Sequence, residues 1–128
     1  MTDEVDEWFK QAEFDITAGY TMAESTTSPY AVFFCHQAIE KALKGLYLKK
    51  FKEAPQKTHS LVTLAVRLTI PIPKTICATI QLLNTASVNV RYPPDLDELV
   101  KIYSYERVCD ILKRSEEVLD WTLKQCRK

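Results

Sequence analysis

Three polar side chains recur at every fourth residue in the stretch CHQAIEKALKGLYLKK, which spans residues 35–50. His36, Glu40 and Lys44 therefore lie on one face of a helix, because residues four apart are neighbours on a helix surface. The row combines an imidazole, a carboxylate and an ammonium group, which transfer protons and bind anions in proteins. It is therefore either a ligand-binding surface or only the solvated side of a helix, with a weak Glu40–Lys44 ion pair.

The other side of this helix is apolar and predicts a core face. At about 100° per residue, Gln37 and Lys41 join the polar wedge. The predicted core face consists of Val32, Cys35, Ile39, Ala42, Leu43 and Leu46. Phe33 projects into the polar wedge, and an exposed aromatic side chain among charges suggests a partner. We therefore predict a homodimer whose isologous interface involves the first two helices.

Apolar spacing elsewhere predicts the helices that position this row. The predicted long helices cover about 3–24, 29–50, 73–88 and 105–126, and a shorter helix follows Thr58 with Leu61, Leu64, Ala65 and Leu68 inward. Thr2 or Asp3, Ser28, Thr58 and Ser104 are the predicted N-caps. Residues 89–97 contain Pro93-Pro94 and are predicted not to form regular helix. The sequence thus predicts an all-α protein, a single domain over 1–128, built as an up-and-down bundle of four long helices plus one short helix.

Composition excludes several classes of protein. The 128 residues are 46% hydrophobic and 27% charged, which is typical of a globular chain. No apolar run approaches the ~18 residues of a membrane span. The acidic start MTDEVDEWFK does not resemble a signal peptide, so we expect a cytoplasmic protein. Four cysteines without a CxxC pair indicate reduced, mostly buried thiols and no metal site.

Charge is zero overall but is unevenly distributed along the chain. Residues 1–24 hold seven acids and one base, whereas residues 25–74 hold eight bases and two acids. The chain therefore lacks the overall basic character typical of nucleic-acid-binding proteins. A local basic patch is predicted from Lys41, Lys44, Lys49, Lys50, Lys52 and Lys57.

Four short stretches resemble the successive signatures of HEPN domains, the higher-eukaryote and prokaryote nucleotide-binding family. They are WFKQAEFD (8–15), HQAIEKALK (36–44), THSL (58–61) and RYP (91–93). The Gln-Ala-x-Glu-Lys-Ala-x-Lys core of the second stretch is the most specific part. The resemblance implies a helical bundle that is commonly a homodimer and often paired with a small nucleotidyltransferase of the MNT type. Many HEPN members are RNA-cutting toxins whose catalytic Arg is followed by a His after four to six intervening residues.

The chain departs from that catalytic signature. After Arg91, the corresponding positions are Leu96, Asp97 and Glu98. A metal-independent ribonuclease of this type needs an imidazole for acid–base catalysis. We therefore predict no catalytic residue and no appreciable ribonuclease activity, although sequence alone does not exclude that His36 or His59 approaches Arg91.

The sequence thus predicts a non-catalytic module for nucleotide or RNA-phosphate binding and assembly, paired with an MNT-type nucleotidyltransferase in a toxin–antitoxin-like system. The expected ligand-binding residues are Glu40, Lys41, Lys44, His59, Arg91 and Tyr92, with no cofactor and no metal. Because surface charges contribute little to folding, we expect Lys44→Ala to leave thermal stability almost unchanged. Two alternatives stay open: a degenerate ribonuclease toxin acting through Arg91 and a non-standard His, and a dimerisation scaffold without a ligand.

Overall fold

Four long helices and two short ones make up residues 2–128, the part of the chain that the computed structural model describes. The helices are α1 (Asp3–Ala23), α2 (Ala31–Phe51), α3 (Leu61–Arg67), α4 (Lys74–Arg91), α5 (Leu96–Ile102) and α6 (Tyr105–Cys126). Helix α2 is central and contacts α1, α3, α4 and α6. The predicted all-α bundle is confirmed, and α2 is the helix on which these four pack.

Two of the four predicted N-caps are found in the structure. Thr2 and Ser104 cap α1 and α6 through side-chain oxygens that accept backbone N–H bonds, as predicted. The predicted Thr58 cap is wrong, because α3 starts later and the Ser60 hydroxyl accepts from the Thr63 backbone N–H. The Thr58 hydroxyl instead accepts a bond from the Ser60 N–H. The segment before α3 is therefore held in a defined conformation.

Three predicted boundaries need correction. Ser28 and Pro29 belong to a 3₁₀ turn (Ser28–Tyr30), so α2 begins only at Ala31. The prediction that residues 89–97 lack helix is wrong at both ends, because α4 continues to Arg91 and α5 begins at Leu96. The Asp95 side chain starts α5 by accepting bonds from two backbone N–H groups. The two prolines thus interrupt the helix over a shorter span than the sequence suggests.

Helix α1 packs very closely on α2. A Cβ added at Gly45 would lie 3.0 Å from the Phe9 ring and 3.0 Å from Trp8 Cβ. The absence of a side chain at Gly45 therefore lets α1 approach. All six residues of the predicted α2 core face are buried, so that prediction is confirmed. The approach of α1 also covers part of the α2 surface that carries the polar row.

The four cysteines are free thiols. Cys35 and Cys126 are buried, while Cys77 and Cys109 are half-buried. Burial raises the pKa of Cys35 to about 12 and that of Cys126 to about 11, which disfavours the reactive thiolate. Within residues 2–128, none of the helices has the length and apolar character that a bilayer crossing requires.

Candidate functional site

Glu40 is the centre of a buried polar cluster on α2. Its side chain retains only 11% of its exposure, and its Oε2 accepts a hydrogen bond from Lys44 Nζ at 3.1 Å. Lys44 is buried to the same extent, with its ammonium 5.9 Å from the centroid of the Trp8 ring. The alternative of a solvated ion pair is therefore wrong, because Trp8 of α1 and His59 of the segment before α3 lie against this face. The Glu40–Lys44 pair is a structural charge pair of the interior.

His59 reaches the same carboxylate from outside. Its Nδ1 lies 3.1 Å from Glu40 Oε1 and 3.2 Å from Oε2, while 84% of its side chain stays exposed. A carboxylate is an acceptor, so it favours the tautomer in which Nδ1 donates and Nε2 carries the lone pair. The Leu61 N–H donates to Asn84 Oδ1 at 2.8 Å, which anchors this segment to α4. Glu40 thus orients an exposed imidazole that has one ring nitrogen free.

His36 is the buried member of the cluster. It is 3% exposed, and its Nδ1 has no hydrogen-bond partner among the described residues. Glu40 Oε1 lies 3.8 Å from this nitrogen. Burial lowers the pKa of His36, and the charges of Arg91 and His59 lower it further, while Glu40 opposes the shift. His36 is therefore neutral in the folded protein near pH 7.

His36 should make stability depend on pH. Its pKa lies below the ordinary 6.5 only in the folded state, so between these two values the unfolded chain binds more protons. The free energy of unfolding should therefore fall as the pH drops below 6.5. We expect urea denaturation to show a smaller loss of stability from pH 7.5 to 5.5 in His36→Gln than in the wild type. An identical loss in both proteins would contradict the prediction.

Arg91 lies at the end of α4 and stacks on α2. Its guanidinium carbon is 4.5 Å from the centroid of the Phe33 ring, a cation–π contact. Phe33 is half-buried rather than fully exposed, so the structure supplies an intramolecular partner for the aromatic residue. Arg91 itself is exposed, and Tyr92 beside it is 77% exposed. The guanidinium of Arg91 is therefore accessible to solvent while one of its faces packs on the Phe33 ring.

The predicted basic patch is divided among separate interactions. Lys41 Nζ lies 2.8 Å from Asp15 Oδ2 on α1, and Lys44 is paired with Glu40. Lys50 Nζ donates to the Leu68 carbonyl at 2.7 Å near the end of α3. Lys41 and Lys44 therefore each have a carboxylate partner already, and their predicted binding roles remain predictions.

The cluster joins side chains that are far apart in the chain. Of the six predicted binding residues, Glu40, Lys44 and His59 are in contact, while Arg91 stacks on Phe33 of the same helix α2. His36 is not among the predicted binding residues, although its position four residues before Glu40 is a usable signal. Asn84, which anchors the His59 segment, has no signal in the sequence.

The exposed part of the cluster has the chemistry of an anion site. Arg91 offers planar donors that match a phosphate, and Tyr92 offers a face on which a base can stack. His59 can donate to a phosphate oxygen only as an imidazolium, in which Nδ1–H faces Glu40 and Nε2–H faces the ligand. Within residues 2–128, no group of three or more His, Cys, Asp and Glu side chains is arranged to hold a metal ion.

One family model matches this chain, and two solved structures share its fold. The HEPN domain family model matches residues 5–126. Two crystal structures have the same fold: ST0689, an archaeal HEPN homologue, and TT1696 from Thermus thermophilus. The first is 22% identical, with 98% of this chain and 99% of that chain covered and a TM-score of 0.76. The second is 21% identical, with 97% and 99% covered and a TM-score of 0.82. A search of curated proteins finds no match.

Proposed function

Because the chain belongs to the HEPN domain family, we propose that it binds a phosphate group of a nucleotide or RNA at the surface formed by His59, Arg91 and Tyr92. The observation that carries this proposal is the double contact of Glu40 with His59, at 3.1 and 3.2 Å. A buried carboxylate that fixes an exposed imidazole prepares the site before the ligand arrives. Preparation of this kind reduces the entropy lost on binding.

Arg91 supports the same proposal through its environment. The Phe33 ring supports its guanidinium at 4.5 Å, and the following Pro93 and Pro94 restrict the chain. A guanidinium held in this way keeps its outer N–H groups for a ligand, and phosphate oxygens fit its fork geometry. The field that attracts the anion is local, since the whole chain has no net charge.

We propose further that the module is non-catalytic and works in an assembly. The family resemblance supports a homodimer and pairing with an MNT-type nucleotidyltransferase, as in toxin–antitoxin systems. Lys41 and Lys44, which are expected from the sequence to contact the ligand, have structural partners in Asp15 and Glu40. In this proposal they stabilise the site, whereas His59, Arg91 and Tyr92 contact the phosphate and base.

A second candidate function is RNA cleavage by a non-standard histidine. The Glu40–His59 contact favours it, because carboxylates orient catalytic imidazoles in the same way in many enzymes. His59 Nε2 would then take the proton of an RNA 2′-hydroxyl while Arg91 holds the phosphate. The missing His after Arg91 argues against this function, so we rank it second.

Titration with ATP, GTP and a short single-stranded RNA tests the proposal. We expect at least one of them to bind at low salt, more weakly as salt rises, and the RNA to stay intact during prolonged incubation with EDTA. Gel analysis of the incubated RNA shows whether it stays intact. RNA cleavage that disappears in both His59→Ala and Arg91→Ala would favour the ribonuclease. If none of the three ligands binds at low salt, the proposal is wrong and the chain is a dimerisation scaffold without a ligand.

A further inference from the structure

A groove between α3 and α4, separate from the Glu40 cluster, is lined almost entirely by apolar side chains. It encloses about 290 Å³, and its walls include Val62, Val66, Ile70, Ile72, Cys77 and Ile80. Val66 is 70% exposed and Val62 is 38% exposed, although both lie on the same side of α3. Gln81 is the polar side chain of the lining. Covering these side chains would remove apolar surface from water, which is favourable.

The border of this groove is basic. Between Glu53 and Asp95 the chain contains no acidic residue, and the two helices that form the groove carry Arg67 at the end of α3 and Lys74 at the start of α4. Arg67 directly follows Val66. Lys74 precedes Cys77 and Gln81 by three and seven residues, so it shares their side of α4. An apolar surface with a border of one charge sign favours a partner of the opposite sign.

Basic residues also lie beside the groove at Ile70. This residue lines the groove and also a neighbouring depression that contains Lys49, Lys50 and Lys128. Lys49 also shares a further depression with Asp3 and Glu4 of α1. Basic residues thus border the groove at α3, at the start of α4 and next to Ile70.

We propose that this groove binds an amphipathic helix of another protein, whose apolar side chains enter the groove and whose acidic side chains contact the basic border. Binding of a helix through an apolar face is a common mode of peptide recognition. RNA fits the groove less well, because the lining has no aromatic platform and one polar side chain. A second copy also fits less well, because its exposed acidic helix with an apolar side, α5, has only seven residues and covers less of the groove than a longer helix.

The test uses two designed helical peptides labelled with fluorescein. Both have leucines at i, i+3, i+4 and i+7; one has glutamates at the remaining positions and the other has lysines. We expect fluorescence anisotropy to give a dissociation constant for the glutamate peptide that is roughly tenfold or more below that of the lysine peptide. Added salt should reduce this difference. Val66→Glu should weaken its binding about tenfold or more, by placing a charge in the groove.

Val88→Glu is the matched control, because Val88 is an exposed valine (56%) on α4 that does not line the groove. It should leave peptide binding unchanged, and circular dichroism should show that both variants fold. The proposal is overturned if the glutamate peptide does not bind, if both peptides bind equally, or if Val88→Glu acts like Val66→Glu. Self-association in sedimentation that Val66→Glu abolishes would overturn it in favour of a second copy. Single-stranded RNA binding that the same variant abolishes would overturn it in favour of RNA.

Discussion

Glu40→Ala is expected to lower the free energy of unfolding by about 3–5 kcal/mol, the cost of removing one partner of a buried ion pair. Lys44 would then be a buried ammonium without its carboxylate, and His59 would lose the acceptor that orients its ring. Urea denaturation at pH 7.5 measures the loss, through a lower midpoint at unchanged slope. Phosphate binding should weaken as well, since the imidazole is no longer held.

Two controls separate the contributions of Glu40. Glu117→Ala removes an exposed acid of α6 and should change stability by no more than about 0.5 kcal/mol. The double variant Glu40→Leu, Lys44→Met replaces the pair by apolar groups of similar size, which often restores stability. It should recover most of the stability but not the phosphate binding, because His59 still lacks its acceptor. If Glu40→Ala is as stable as the wild type, Glu40 and Lys44 do not form a buried pair in solution.

Arg91→Ala should raise the dissociation constant of the bound nucleotide or RNA roughly 5- to 150-fold, or about 1–3 kcal/mol. The variant removes the bidentate donor and leaves Phe33 exposed. Arg91→Lys should give a smaller loss, because lysine keeps the charge but neither the planar fork nor the stacking geometry. Isothermal titration at low salt measures all three proteins, and the gap between wild type and Arg91→Ala should shrink at high salt.

Arg107→Ala is the matched control for Arg91. Arg107 is an exposed arginine whose guanidinium carbon lies 6.0 Å from the centroid of the Tyr103 ring, at a different place in the bundle. Its replacement removes the same charge and a similar stacking contact, so it should leave the dissociation constant nearly unchanged. Equal losses in Arg91→Ala and Arg107→Ala would mean that net charge, and not a site at Arg91, governs binding.

Much of the fold could be predicted from the sequence, because helix formation depends on neighbours in the chain. Apolar spacing of three and four identifies the four long helices and the buried side of α2, including Ile39 and Leu43. Thr2 and Ser104 are recognisable as caps, since capping involves only the next three residues. Helix α5 is missed although Asp95 offers a cap, because the prolines before it outweigh a pattern only seven residues long.

The order of residues along the chain also determined which side chains could form a site. The family signatures contain Glu40, Lys44, His59 and Arg91. Periodicity shows which side of α2 a residue occupies, but not what covers that side. For this reason the row at His36, Glu40 and Lys44 has the pattern of a solvated face. On that pattern, Lys44→Ala is expected to leave thermal stability almost unchanged. Burial of the Glu40–Lys44 pair reverses that expectation for stability.

Only the tertiary structure decided how these residues act together. Glu40 and His59 are 19 positions apart, and Arg91 lies on a different helix from Phe33. Their contacts depend on α1 approaching over Gly45 and on Asn84 anchoring the segment before α3. Such contacts come from the packing of several elements at once, which no local pattern encodes. The sequence by itself therefore determined the helices and the available chemical groups, whereas packing determined which groups are buried as supports and which face a ligand.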